Sequence, residues 1–430
     1  MEDVVVLVPG FLGFARFGGF YYFADRLVAM LRGSLEQPEG RPLPVVPVTT
    51  LPTDNLRNRQ KALLEQLDEL SRRVYGVEWI HLIGHSTGGV DAQLLACTRS
   101  IDDQPWPEKW ERVRRKIKTV ITISAPHFGT ELADSPFASL GTSPLDNPRA
   151  VIAQARTIRD LLRLVPRYLA ANVGVDEVRP NDVLKFIWQV IQNHELINDL
   201  RPENMEALRA RLVSDDAIKL RCFVTGTTPR SDKDRPSDPL YADLYRLTEG
   251  PETVSQAVLK RTRFLQEQVE KDPKVVISSP MSKMPDISPE LNDGVVNTVR
   301  QIVNLNSEEL GGFVVGDHAD VLGHYDHQDA LIGGKPYDAG LFHSGAGFGD
   351  HQFFALYWRV AQLILASRTR ARRLQKLALQ KKPLGVRRKR EGAGREKIVS
   401  AQPAGAVSIA VARRRSRRHA PSFSSSRTAS

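Results

Sequence analysis

Residues 79–89 read WIHLIGHSTGG, from Trp79 to Gly89. Residues 80–83 are mostly apolar and predict a short buried strand. Gly84-His85-Ser86-Thr87-Gly88 fits the pattern G-x-S-x-G, and residues 88–96 predict a helix. A serine between strand and helix sits on a sharp, strained turn that exposes its hydroxyl, and the flanking glycines leave room for neighbouring backbone. The helix behind it aims free N–H groups at the same point, where they stabilise negative charge. Ser86 is therefore a candidate nucleophile. An ordinary strand-to-helix turn with a solvated serine shares the pattern, so the rest of the chain has to decide.

Residues 4–8 (VVVLV) predict a strand buried on both faces of a parallel sheet. They lead into Pro9-Gly10-Phe11-Leu12-Gly13-Phe14, where glycine lets backbone approach a ligand. Helical periodicity covers residues 20–31 and 56–74, the second with Leu63, Leu67 and Leu70 on one face. Strands are predicted at 45–48, 119–124, 220–225, 275–278 and 312–315, and a loop at 229–239. Helices are predicted at 257–271 and 350–366, the last with Phe354, Trp358, Ala361 and Leu365 inward. Strands alternating with helices imply an α/β fold, a mostly parallel central sheet with helices on both faces. Between residues 131 and 216 strand signals fade. Val151, Ala155, Ile158, Leu162, Val165 and Leu169 recur at spacings of three and four, and 183–196 is a second apolar helical stretch. This predicts a helical cap or lid, although a fixed packed decoration has the same pattern.

The 430 residues carry a net charge of +10, but unevenly. Residues 367–430 hold 19 Lys and Arg against 2 acidic residues, a net +17, which leaves −7 for residues 1–366. The globular part is mildly acidic and the tail is basic, poor in apolar residues and expected to be disordered. Such a tail suits an anionic surface. With Phe423 its only aromatic, it has no base-stacking set for specific nucleic-acid reading. Cys97 and Cys222 are too few for a disulfide framework and read as small core residues. No apolar run reaches the ~18–20 residues of a membrane span. The start, MEDVVVLVPG, has acids where a secretory leader carries positive charge. The expectation is a cytoplasmic protein, a reading that a mature secreted form would share.

A serine hydroxyl needs a base to take its proton, and the base needs an acid to hold its tautomer. In folds of this class the acid and then the histidine follow the serine, in loops after late strands. Asp293 and His318 satisfy that order. His324, His327, His343 and His351 compete with His318, whereas His85 and His127 read as structural.

With these pieces in place the chain resembles the bacterial true lipases of the α/β-hydrolase fold, the Pseudomonas/Burkholderia and thermophilic Bacillus groups. VLVPGFLGF, GHSTGG, APHFGT, NDGVVNT and DHADVLG occur in that family's order between residues 6 and 324. The resemblance implies Ser86 as nucleophile, Asp293 as acid, His318 as base, and backbone N–H groups of Phe11 and Thr87 as the oxyanion hole. The chain itself divides into a catalytic domain over 1–366, with 131–216 as the cap, and the tail over 367–430; the excursion over 131–216 does not match the family recognisably. Pro9 stands where the family has histidine, and proline has no N–H, but the Phe11 donor is unaffected. The family often holds calcium near its histidine. Asp320 occupies the position of one carboxylate ligand, with His324 and Asp326 nearby, and calcium prefers oxygen donors. No other cofactor is implied. The expected activity is hydrolysis of acyl esters or lipids through an acyl-enzyme. The alternatives are a deacylase or thioesterase using another acyl donor, and a non-catalytic binding protein whose working part is the tail.

Overall fold

The computed structural model describes residues 2–11, 13, 15–17, 20–35, 40–73, 76–134, 195–231, 236–237, 239–250, 254–280, 282–325, 331–332, 335–336 and 344–380. The run VVVLV lies in β1 (Glu2–Val8), and all five of its side chains are fully buried. β1 pairs in parallel with β2 (Val45–Pro47) on one side and β3 (Val77–His85) on the other. β4 (Ile117–Ile123), β5 (Lys219–Gly226), β6 (Val276–Ile277) and β7 (Leu310–Val315) extend the sheet. The order is β2-β1-β3-β4-β5-β7-β6, with every neighbouring pair parallel. With helices on both faces this is an α/β-hydrolase fold.

Alternation along β1 sorts its side chains between two cores. Val4, Val6 and Val8 pack with Leu63, Leu64 and Leu67 of α2 (Leu56–Arg73) and with Ala92 and Leu95 of α3 (Thr87–Leu95). Val5 and Leu7 face the other way, onto Leu27 and Leu31 of α1 (Asp25–Ser34) and a helix at the C-terminal side. Short helices α4 (Glu108–Arg114), α5 (Glu195–Asp199) and α6 (Pro202–Arg209) connect the central strands. α7 (Pro239–Thr248) and α8 (Gln256–Lys271) follow β5, and α9 (Asp350–Gln380) closes the fold.

Several expectations need correction. The helix expected from residue 20 begins at Asp25, because Phe20–Tyr21 pairs with Arg16–Phe17 in a small ribbon and Tyr22 and Phe23 are buried. The loop expected to run through 239 gives way there to α7, whose first residue, Pro239, occupies a position where a missing N–H costs nothing. Of the four residues expected inward on α9, Ala361 lies in the core and Leu365 packs against it, whereas the two aromatics are off by one position. Phe353, Leu356, Tyr357, Val360, Ala361 and Ile364 face the core, whereas Phe354 and Trp358 are exposed. The last helix runs beyond residue 366. α9 continues to Gln380, and the compact unit that begins at Met1 ends at Ala378. The physical reason is Asp3, a fully buried carboxylate on β1 that pairs with buried Arg368. Removing either partner would strand a buried charge.

Of the cap expected over 131–216, the described residues include the 3₁₀ turn Glu131–Asp134 and helices α5 and α6. The apolar stripe from Val151 to Leu169 and the stretch 183–194 lie outside the described residues, as do Asp326, His327, His343 and the tail beyond 380.

Candidate active site

β3 ends at His85, α3 starts at Thr87, and Ser86 alone makes the turn, with φ 54° and ψ −132°. A non-glycine residue here is strained, and such strain persists only where the surroundings enforce it. They do so through hydrogen bonds on both sides: the Ser86 N–H donates to Ile123 O (3.0 Å), and the Gly89 N–H donates to Ser86 O (2.9 Å). Sterics enforce it further. A Cβ on Gly84 would lie 2.3 Å from Gly88 O, and one on Gly88 2.3 Å from Val8 O and 2.4 Å from Pro9 O. These partners are backbone and cannot swing aside. Gly88→Ala is therefore expected to destabilise the fold by about 1–3 kcal/mol, the usual range for overpacking. A thermal melt indistinguishable from wild type would refute this account of the turn.

Asp293 lies in the loop bridged by Asn292 and Asn297, and its carboxylate is fully buried. Oδ1 accepts the Val295 and Val296 N–H groups at 3.0 and 2.8 Å. Oδ2 accepts from Thr225 Oγ1 (2.6 Å), Gln301 Nε2 (3.2 Å) and His318 Nδ1 (2.9 Å). Five donors compensate the burial of one charge. His318 follows β7, and its own N–H donates to Asp293 O at 3.0 Å. With the Nδ1 proton directed at the carboxylate, Nε2 keeps its lone pair, the tautomer a general base requires. His318 is in direct contact with a buried carboxylate, Asp293. His127 is buried against Thr122, and His351 is exposed on α9.

His85 ties this pair to the turn. Its Nε2 is 2.8 Å from His318 O, and its ring lies 4.7 Å from the His318 ring, centroid to centroid. A carbonyl only accepts, so Nε2 carries the proton and Nδ1 accepts the Tyr22 hydroxyl at 2.8 Å. Burial holds His85 well below the usual imidazole range, so it stays neutral, and burial pushes the Tyr22 phenol up. Tyr22 also touches the Pro9-Gly10-Phe11 loop: a Cβ on Gly10 would lie 2.5 Å from Tyr22 Oη and 2.7 Å from Ser86 Cβ. One hydrogen-bonded chain thus spans the Gly10 loop, the serine turn and the histidine loop. Tyr22→Phe leaves His85 Nδ1 buried without its donor, a loss of about 1–3 kcal/mol. The expected result is a fall of about 10-fold in kcat with KM unchanged, read by steady-state kinetics.

Arg59 braces the other side. It is completely buried and donates to both oxygens of Asp91, with Nη2–Oδ2 at 2.6 Å. Nη2 also reaches Gly10 O (3.4 Å) and Thr87 Oγ1 (3.3 Å). The arginine therefore holds the two segments that carry the Phe11 and Thr87 N–H groups. Tyr22, Arg59, Asp91, Thr225 and Gln301 are absent from the sequence-derived set. For Arg59 a signal existed: it is a charge on the apolar face of an amphipathic helix, beside Leu56 and Leu63.

Asp320 pairs with the turn that carries His318. Its Oδ2 accepts the Asp317 N–H (2.8 Å), while Asp317 Oδ1 accepts the Ala319 and Asp320 N–H groups. The two carboxylates clasp the turn on either side of His318. Burial, reinforced by Asp293, pushes the Asp317 carboxyl up to about 6. His324 donates Nε2–H to Tyr21 O and Tyr22 O, and burial lowers it to about 4. Among the described residues no group of three His, Cys, Asp or Glu side chains could hold a metal. Asp326, named beside Asp320 for the calcium site that the resemblance implies, lies outside the described residues.

No family model matches the chain. Over 130 residues, 30% of this chain, it is 32% identical to a triacylglycerol lipase of Pseudomonas fragi. The match spans 36% of that protein, about a third of its length. Among solved structures, lipase 1 from Pelosinus fermentans aligns with a TM-score of 0.49 at 16% identity, covering 84% of this chain and 98% of the other. EstA from Clostridium botulinum gives 0.46 at 17%, with 84% and 87% covered. Staphylococcus hyicus lipase gives 0.44 at 16%, with 86% and 96% covered.

Proposed function

We propose that the chain is a lipase-like serine carboxylester hydrolase. The observation that carries this reading is the buried Asp293–His318 pair, tied through His85 to a strained serine at the head of a helix. Ser86 Oγ attacks the acyl carbonyl as its proton passes to His318 Nε2. Asp293 holds the Nδ1 proton and stabilises the imidazolium. The negative charge on the carbonyl oxygen is met by the Phe11 and Thr87 N–H groups, each worth about 2.7–4 kcal/mol by analogy with a protease oxyanion donor. The C–O bond then breaks, His318 returns its proton to the leaving alcohol, and the acyl group remains on Ser86. Water attacks this ester with the same assistance, which releases the acid and restores the serine.

The partial likeness to a triacylglycerol lipase supports an acyl ester or lipid substrate. The test is turnover of p-nitrophenyl esters across acyl lengths beside matched acyl thioesters. Faster turnover of oxygen esters supports the proposal, preference for thioesters replaces it with the deacylase reading, and no turnover of either overturns it. In this proposal every role falls to a group of this chain and no cofactor is required. EDTA is accordingly expected to leave turnover unchanged. Loss of activity restored by Ca²⁺ would contradict the commitment of Asp317 and Asp320 to their own turn. No described helix is long and apolar enough to cross a membrane.

A further inference from the structure

The outer face of α9 is unusual in two independent respects. Phe354 and Trp358, one helical turn apart, are 50% and 57% exposed, while their neighbours Phe353 and Tyr357 occupy the core. Exposed Trp and Phe at this spacing form a ridge that the fold itself does not use. The charge along the same helix is also one-sided. After Asp350 there is no acidic residue until Glu391, and residues 351–390 contain twelve Lys and Arg. Arg359, Arg368, Arg370, Arg372, Arg373 and Lys376 belong to α9 itself. Arg368 is consumed by Asp3, and Arg359 donates to the carbonyls of Gly311 and Val275. Arg370, Arg372, Arg373 and Lys376 follow the aromatic pair in sequence.

We propose that α9 docks on an anionic phospholipid surface, with Phe354 and Trp358 entering the headgroup boundary and the cationic stretch of sequence beyond them drawn to lipid charge. A helix lying in the interface plane has this composition: aromatic residues on the side that enters, Lys and Arg reaching the headgroups, and too little hydrophobicity to span. The acid-free stretch selects the partner. A zwitterionic surface offers no counter-charge to Arg370, Arg372, Arg373 and Lys376, and a nucleic-acid duplex offers nothing apolar to Phe354 and Trp358. Docking would bring the chain to the phase in which lipid esters reside, which extends the hydrolase proposal without depending on it.

The experiment uses the full chain as Ser86→Ala, so that vesicle lipid is not consumed and binding is read apart from turnover. Co-sedimentation is measured with vesicles of phosphatidylcholine alone and of phosphatidylcholine mixed with phosphatidylglycerol, and with Phe354→Ser/Trp358→Ser added in the same background. The proposal predicts binding to the anionic vesicles that weakens with salt, and a loss of about 10-fold or more in the aromatic double variant. In an otherwise wild-type chain the same double substitution should leave thermal melting and turnover of a short soluble ester unchanged. Equal binding with and without the aromatics would overturn the proposal, as would no preference for anionic vesicles. Capture by a DNA duplex without capture by vesicles would also overturn it and assign the cationic residues to nucleic acid.

Discussion

Replacing Ser86 by alanine is expected to lower p-nitrophenyl ester turnover by about 10⁶-fold, the scale set by removing the nucleophile of a triad protease. The magnitude follows from how the surrounding groups are arranged. In the proposed mechanism the strained backbone at Ser86, the closely approached glycines at 84 and 88, and the His318–Asp293 pair all serve one hydroxyl. In that mechanism the N–H groups of Phe11 and Thr87 would still polarise a carbonyl without it, but nothing would remain for His318 to activate except water. The change removes one oxygen from a nearly buried side chain, so the melting transition should be retained. A modest loss of turnover, with folding intact, would mean that another group attacks the ester.

Asp293→Asn should cost about 10⁴-fold, by the precedent of the equivalent substitution in a serine protease. The effect acts through the tautomer of His318. An amide can turn its oxygen to the Val295 and Val296 N–H groups, which need an acceptor. Its NH₂ then faces Thr225, Gln301 and His318, and the histidine meets it with an unprotonated Nδ1. The proton moves to Nε2, where it blocks acceptance from Ser86. Turnover falls while substrate affinity is retained, so kcat should drop with KM nearly constant. A loss confined to KM would place Asp293 in substrate binding instead.

The sheet and the serine turn were legible because strand burial and close backbone approach restrict residue type sharply. VVVLV and G-x-S-x-G admit few alternatives. Asp293 and His318 were legible only through short motifs, since nothing local in their sequence says that the two loops meet. On α9, Phe354 and Trp358 were misread as inward because Phe353 and Phe354, like Tyr357 and Trp358, are adjacent aromatics. Either pair makes an apolar stripe at a spacing of four, and only the packed core distinguishes them. The extent of the last helix was misread for an electrostatic reason. A cationic run usually marks a solvated segment, but Arg368 answers a carboxylate buried on the first strand, 365 positions away in sequence. Tyr22 was missed for the same reason: its role lies in a long-range hydrogen bond, which leaves no periodicity, whereas Arg59 showed itself in sequence only as a charge on an apolar helical face.

The central claim is that Ser86 is the activated nucleophile. It is tested most directly by treating the native protein with a p-nitrophenyl alkylphosphonate, which an activated serine displaces at phosphorus with release of p-nitrophenolate. The account predicts one phosphonyl group per chain, located by peptide mass spectrometry on Ser86, with matching p-nitrophenolate release and no label in Ser86→Ala. Labelling at another residue, or equal labelling of the wild type and Ser86→Ala, would contradict it.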